Sequence, residues 1–137
     1  MFDLQGFMTG GLAFLLAFFV AGLFTFAFKL IYQAVTPYNE GALIREGNLA
    51  ASVALGGALI GYVLPLASAL AHTVTLGEFC AWATLAGVIQ IVAFTVVRHL
   101  VIKDVRARIE RGDMATAVYL FAISIVVGVL NAACMTT

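Results

Sequence analysis

Long stretches without a charged residue dominate the chain and predict its secondary structure. They contain 25, 31, 19 and 24 residues and cover positions 4–28, 47–77, 79–97 and 114–137. A helix needs about 20 predominantly apolar residues to cross the hydrocarbon core of a bilayer. We therefore expect an all-α integral membrane four-helix bundle, with transmembrane helices at about residues 7–33, 48–72, 77–100 and 113–135.

A short sequence block occurs twice, with an offset of 65 residues. Residues 43–53 read LIREGNLAASV, and residues 108–118 read RIERGDMATAV. A sequence block that recurs at a fixed offset indicates a duplicated structural unit. The chain is interpreted as one transmembrane hairpin built twice, over residues 1–72 and 73–137. Because each unit crosses the membrane twice, the two copies would lie parallel, about an axis along the membrane normal, unlike inverted transporter repeats.

Composition supports lipid as the solvent of this chain. It is 64% hydrophobic and 10% charged, with a mean hydropathy of +1.10, whereas a soluble domain uses charge at about 25% of positions. The first apolar segment has no basic residue before Lys29. It lacks the basic n-region of a signal peptide and is expected to be a retained helix.

The basic residues predict the orientation of the bundle. All seven lie in or beside two connections, and the N-terminus, the second turn and the C-terminus carry none. They are Lys29 and Arg45 around the first connection, and Arg98, Lys103, Arg106, Arg108 and Arg111 in the third. Positive residues stay on the cytoplasmic side. Both termini are therefore expected to face outward, with the two longer connections in the cytoplasm.

Small residues mark the expected helix contacts. The second helix carries Gly57 and Gly61, and the fourth carries Ser124, Gly128 and Ala132 at four-residue spacing. Such stripes let helix backbones approach closely in lipid. Packing inside one bundle is the favoured interpretation, and a contact between copies is the alternative. We expect the chain to be embedded in the lipid bilayer and to form a homo-oligomer.

Few polar residues lie inside the predicted spans. Gln90 is in the third helix, and Thr25 occupies the equivalent place in the first helix under the 65-residue offset. No acid occurs in residues 4–28, 47–77 or 79–97 or after Asp113, and proton-coupled antiport needs an intramembrane acid. A small passive channel, formed by an oligomer with such polar residues on its axis, remains the alternative function.

A second polar location is expected near the outer end. Pro65 removes a helical hydrogen bond and frees the carbonyl of Gly61. Asn131 in the fourth helix lies at nearly the same depth as Pro65. We expect Asn131 to satisfy that carbonyl or Ser68 across the bundle, because freed groups in kinked membrane helices are normally re-satisfied by neighbours. A polar site for a ligand is the alternative.

No arrangement of reactive residues predicts an enzyme, a metal site or a cofactor. His72 and His99 fall on opposite sides of the membrane, and the two cysteines lack the paired spacing of zinc sites. Cys80 and Cys134 are both expected at the outer, oxidising side of the membrane. Two thiols buried among apolar side chains are the favoured interpretation, and a disulfide between them is the alternative.

The third connection is a candidate docking or lipid-binding surface. From Arg98 to Arg111 it carries five basic and two acidic residues, a local charge of +3. Each such basic residue attracts anionic lipid by about 1 kcal/mol. The simpler interpretation is that these basic residues only fix the orientation of the protein in the membrane. The alternative is that they bind a peripheral protein. Nothing points to nucleic acid.

Several blocks of the sequence resemble a known family. These are Thr36–Glu40, Asn48–Ser52, Leu59–Leu66 and Asn131–Thr136, which look like the YjfL-like bacterial inner-membrane proteins. The resemblance implies a multi-pass bacterial inner-membrane protein with two copies of a two-helix domain of unknown function. The outward-facing termini would then be periplasmic. Its relatives are often encoded beside membrane-stress proteins, so a non-enzymatic structural or interaction role linked to envelope stress is the expected function.

Overall fold

The computed structural model describes residues 2–136, and its regular structure is entirely helical in that range. A π-helical turn, Val97–Val101, continues the helix that ends at Val96. The helices, in chain order, are α1 (Leu4–Val35), α2 (Glu40–Arg45), α3 (Leu49–His72), α4 (Leu76–Val96), α5 (Val105–Glu110) and α6 (Met114–Cys134).

The four long helices confirm the predicted all-α membrane bundle. Each is long enough to span a bilayer, and their apolar windows have mean hydropathies between 1.9 and 2.3. When the π-helical turn is counted as part of α4, their ends lie within three residues of the predicted ones. The short helices α2 and α5 were not predicted, because six residues are too few for a recognisable period.

The duplicated block folds into the same local structure in both places. Gly47 and Gly112 adopt φ values of +84° and +80°, a left-handed conformation that glycine accepts without steric cost. Their N–H groups donate to the carbonyls of Ile44 and Ile109, each at 3.0 Å. The chain therefore leaves α2 and α5 through equivalent turns.

Asn48 and Asp113 follow these glycines and begin α3 and α6. The Asn48 Oδ1 accepts the Ala51 N–H at 3.0 Å, and the Asp113 Oδ1 accepts the Ala115 N–H at 3.1 Å, as N-cap residues do. The Asn48 amide also donates to the Ile109 carbonyl at 2.8 Å. This bond ties the start of α3 to the end of α5.

The helices α3 and α6 form the closest pair at the centre of the bundle. A Cβ atom on Gly57 would lie 2.6 Å from the Cα of Phe121. One on Gly61 would collide with the Ser124 carbonyl, and one on Gly128 with the Gly61 carbonyl. The small-residue stripes therefore lie in a contact within one chain.

Two hydrogen bonds to backbone carbonyls add to the contacts of α3. The Tyr62 hydroxyl donates to the Ala83 carbonyl of α4 at 2.9 Å, and the Ser68 hydroxyl donates to the Ala132 carbonyl of α6 at 3.1 Å. Ala132, the last member of the predicted stripe, thus also lies against α3.

The helix α1 contacts α3 and α4 only through its second half. Phe28 stacks on Tyr62 with ring centroids 4.4 Å apart, and Phe24 meets Phe79 edge-on at 5.9 Å. The other phenylalanine rings of this helix point away from the bundle, as expected for a lipid-facing surface. More than half exposed are Phe7, Phe14, Phe18, Phe19 and Phe26.

Candidate functional site

One end of the bundle, which we call the basic face, carries all seven Lys and Arg residues. The long helices cross alternately, so α1 and α4 end where α3 and α6 begin. The short helices α2 and α5 lie at this end, and each follows an Asx residue, Asn39 or Asp104. Both connections are therefore folded segments with defined surfaces.

Three of the predicted docking residues are exposed on this face. Lys103 and Arg111 point to solvent, and Arg106 forms an exposed ion pair with Glu110 at 3.4 Å. Exposed ion pairs contribute only about 0–1 kcal/mol. The Arg106 guanidinium can therefore exchange its partner at little cost.

The other two predicted docking residues are engaged inside the chain. Arg108 donates to the Lys103 carbonyl at 3.0 Å and pairs with Asp113 at 3.5 Å. Arg98 is half-buried, donates to the Val35 carbonyl at the end of α1, and lies 5.6 Å from the Phe94 ring centre. Both were predicted to belong to a docking surface, but both have contacts inside the chain.

Gln90 is buried where α4 meets α3 and α6. Its Nε2 donates to the Ser124 carbonyl at 3.4 Å, and its buried Oε1 has no hydrogen-bond partner among the described residues. The adjoining cavity has about 10 Å³, room for about one water molecule. Thr25 instead bonds the Ala21 carbonyl on α1 at 2.9 Å. The structure therefore does not bring Gln90 and Thr25 together.

Asn131 is buried but has a different partner from the two predicted. Its Nδ2 donates to the Ala86 carbonyl of α4 at 3.2 Å, and neither Gly61 nor Ser68 is its partner. The close approach of the α6 backbone covers the Gly61 carbonyl. Pro65 is accommodated within the continuous helix α3. The prediction that Asn131 bonds Gly61 or Ser68 of α3 was therefore wrong, and Asn131 instead links α6 to α4.

A buried acid that was not predicted as a site residue lies at the basic face. Glu40 is 1% exposed. Its Oε1 accepts the Thr36 hydroxyl at 2.7 Å, while its Oε2 and the Tyr38 hydroxyl are buried without a hydrogen-bond partner. Burial raises the pKa of Glu40 from 4.5 to about 7, against opposing contributions from the Thr36 hydrogen bond and the Lys29 charge.

Tyrosines and a surface cavity surround this carboxyl. The Tyr38 and Tyr32 hydroxyls are neighbours that fall short of a well-formed hydrogen bond. Burial, then the Glu40 charge, raises the pKa of Tyr38. A cavity of about 610 Å³ opens beside the group, between the end of α1, α2 and α5. It is lined by residues 36–41 together with Gln33, Arg106 and Glu110.

Within residues 2–136, no three His, Cys, Asp or Glu side chains lie close enough to hold a metal ion. No disulfide joins Cys80 on α4 to Cys134 at the end of α6. The polar groups that the structure does assemble are therefore those of the basic face and of the α3, α4 and α6 contact.

Four apolar spans and a folded basic face define this chain as a multi-pass integral membrane protein. Residues 2–135 match the family described as Domain of Unknown Function (DUF350), and the chain belongs to that family.

Two curated relatives agree with this assignment. The "UPF0719 inner membrane protein YjfL" of Escherichia coli K12 is 38% identical over 125 residues, which cover 91% of this chain and 94% of the relative. The protein of the same name from Escherichia coli O157:H7 gives the same values. The resemblance to YjfL-like proteins is thus confirmed. No solved structure matches the chain.

Proposed function

We propose that this chain is a non-enzymatic interaction protein of the bacterial inner membrane that holds a peripheral protein at its basic face. The observation that carries the proposal is the folded α5 surface. Val105 and Ile109 are buried against the bundle, so the helix is fixed while Lys103, Arg106 and Arg111 face outward. An acidic protein surface would complement this charge and be steered toward it.

The packing of the interior supports an interaction role over the channel alternative. Gln90 and Asn131 direct their amide groups to carbonyls of the same chain. The cavity beside Gln90 has only about 10 Å³. A conducting path needs polar groups that replace the hydration shell of a passing ion along a line. Groups already bonded within one protomer are poorly suited to that task.

Location and biological setting complete the proposal. The relatives are named as inner membrane proteins, and the charge asymmetry supports an orientation with both termini in the periplasm. The basic face is then cytoplasmic, where a peripheral protein can reach it. We further propose a link to envelope stress, because the sequence resembles a family whose members are often encoded beside membrane-stress proteins.

Neutralising the exposed basic residues is expected to abolish binding of the peripheral protein. The variant combines Lys103→Gln, Arg106→Gln and Arg111→Gln, and it keeps Arg108, which bonds the start of α6. We expect at least a tenfold loss of the co-purifying protein, because three surface charges each contribute about 0.5–1 kcal/mol. Quantitative mass spectrometry after affinity purification from membranes measures this loss.

A charge-preserving variant is the matched control. Lys103→Arg, Arg106→Lys and Arg111→Lys should retain the partner, and binding should weaken as salt is raised. Equal recovery with the neutral and the charge-preserving variants would contradict docking through charge. Ion flux in proteoliposomes that is lost on replacing Gln90 or Asn131 would favour the channel instead.

The orientation has its own test by cysteine labelling. In a background of Cys80→Ser and Cys134→Ser, Thr136→Cys should react with a membrane-impermeant maleimide in intact spheroplasts. Glu46→Cys, beside the basic face, should react only after permeabilisation. Both positions are exposed, so access to the reagent decides the result. The opposite labelling pattern would overturn the orientation and the cytoplasmic docking proposal with it.

A further inference from the structure

The two halves of the chain place different side chains at one buried position. Glu40 is the first residue of α2 and Val105 is the first residue of α5, 65 positions later. They are 1% and 3% exposed. In the second half an apolar side chain fills this position. The local fold therefore does not require an acid there, and the carboxyl of Glu40 needs another explanation.

The hydrogen bonds of Glu40 are incomplete. Thr36 satisfies Oε1 at 2.7 Å, but Oε2 has no partner, and the Tyr38 hydroxyl is buried and unpartnered in the same cluster. A buried ionised carboxylate without full pairing is costly, and such groups neutralise instead. A single proton on Oε2 removes the charge and converts that atom into a donor.

The surrounding charges do not neutralise the carboxyl. No ion pair to Glu40 occurs in the described part of the chain, and the nearby Lys29 ammonium donates to the Gln33 amide oxygen at 3.2 Å. Residues 49–61 of α3 contain no ionisable side chain. The titratable and charged groups of the adjoining elements are Lys29 and Tyr32 on α1, Tyr38 in the connection, Arg45 on α2, Arg98 after α4, and Arg106 and Glu110 on α5.

We propose that the Glu40 carboxyl is a proton-binding site, protonated while α2 is packed against the bundle and ionised when the connection between α1 and α2 opens toward the adjoining cavity. In the packed state, the neutral carboxyl keeps the Thr36 hydrogen bond and tolerates burial. On opening, the proton passes to water in the cavity of about 610 Å³, and the carboxylate becomes hydrated. The ligand of the site is thus a proton, exchanged with the solvent at the basic face.

The direction of the pH dependence follows from burial. The folded protein retains a proton up to a pKa of about 7, whereas the exposed carboxyl has a pKa of 4.5. The stabilisation is fully present below pH 4.5 and is lost as the pH rises through about 7. Packing of α2 should therefore loosen around neutral pH.

Thermal unfolding of the full chain in nanodiscs tests the proposal between about pH 5.5 and 8.5. The midpoint of the wild type should fall across this range relative to Glu40→Gln, which cannot ionise. Glu40→Val, which copies the second half, should behave like Glu40→Gln. The matched control is Glu110→Gln, an exposed carboxyl beside the same cavity, which should keep the wild-type dependence. If Glu40→Val fails to fold, the comparison of the wild type with Glu40→Gln still tests whether Glu40 causes the pH dependence.

Two direct readouts accompany the unfolding data. Infrared difference spectra should contain a neutral carboxyl band that disappears around neutral pH and is missing from Glu40→Gln. At one alkaline pH, amide hydrogens of residues 40–46 should exchange faster in the wild type than in Glu40→Gln. A constant midpoint difference between wild type and Glu40→Gln, or a carboxyl that titrates near 4.5, would overturn the proposal. Neither result depends on whether a peripheral protein binds.

Discussion

Replacing Gly128 with alanine is expected to lower the free energy of unfolding by about 3 kcal/mol or more. The added Cβ would collide with the backbone of Gly61, including its carbonyl oxygen. Backbone atoms in a helix cannot rotate away as a side chain can. The helices α3 and α6 would have to separate, with loss of the dispersion contacts that hold helices together in lipid.

Titration with a denaturing detergent measures this loss, and Gly56→Ala on α3 is the control. Nothing lies within 4 Å of a Cβ at Gly56. That variant should be neutral or gain up to about 1 kcal/mol from helix propensity. Gly57→Ala, one residue further and against the Phe121 backbone, should resemble Gly128→Ala. Equal stability of all three variants would mean that α3 and α6 are not in close contact.

Replacing Phe28 with alanine is expected to release α1 from the bundle while α3, α4 and α6 stay together. Phe28 is 5% exposed and stacks on both Tyr62 and Tyr32. Truncating a buried phenylalanine costs about 3–5 kcal/mol in soluble cores. In lipid the hydrophobic contribution is absent and packing remains, so we expect about 2 kcal/mol.

Spin labels at Leu30 and Val96, both exposed and on α1 and α4, report the separation directly. Their distance distribution should broaden in Phe28→Ala. Phe26→Ala removes the same ring from a lipid-facing position, 57% exposed on the same helix, and should leave the distribution narrow. Broadening in both variants would show that α1 is not held by the Phe28 contact.

The parts of the fold that depend on local sequence were predictable. Uncharged length predicted the four spans, and Asn48 and Asp113 marked the starts of α3 and α6. The helices α2 and α5 were missed because six residues depend on packing rather than on a sequence period. The partner of Asn131 was missed for a related reason. The rotation of α6 relative to α3 and α4 is set by the close approach at Gly61, and hydropathy contains no information about it.

The Glu40 site was not predicted, because only an acid within the membrane was expected to have a functional role. Glu40 lies in a connection, where a charged residue is ordinarily solvated, and its burial comes from the packing of α2. One sequence feature could have indicated it. The offset of 65 residues aligns Glu40 with Val105, and an acid aligned with an apolar residue in a duplicated unit marks a position worth examining. Arg98 gave no comparable indication, because the π-helical turn that carries it to the end of α1 follows from tertiary packing.

The bond from the Asn48 amide to the Ile109 carbonyl bears on the ancestry of the chain. Its counterpart in the other half is Asp113, whose ionised carboxylate has no hydrogen to donate. A protein assembled from two second halves would set an anion against a carbonyl oxygen at this junction. The bond therefore runs in one direction only, and residues 1–72 and 73–137 could not exchange places at this junction. If a single ancestral hairpin once paired with itself, its two descendants have since diverged, and each now has its own place in the pair.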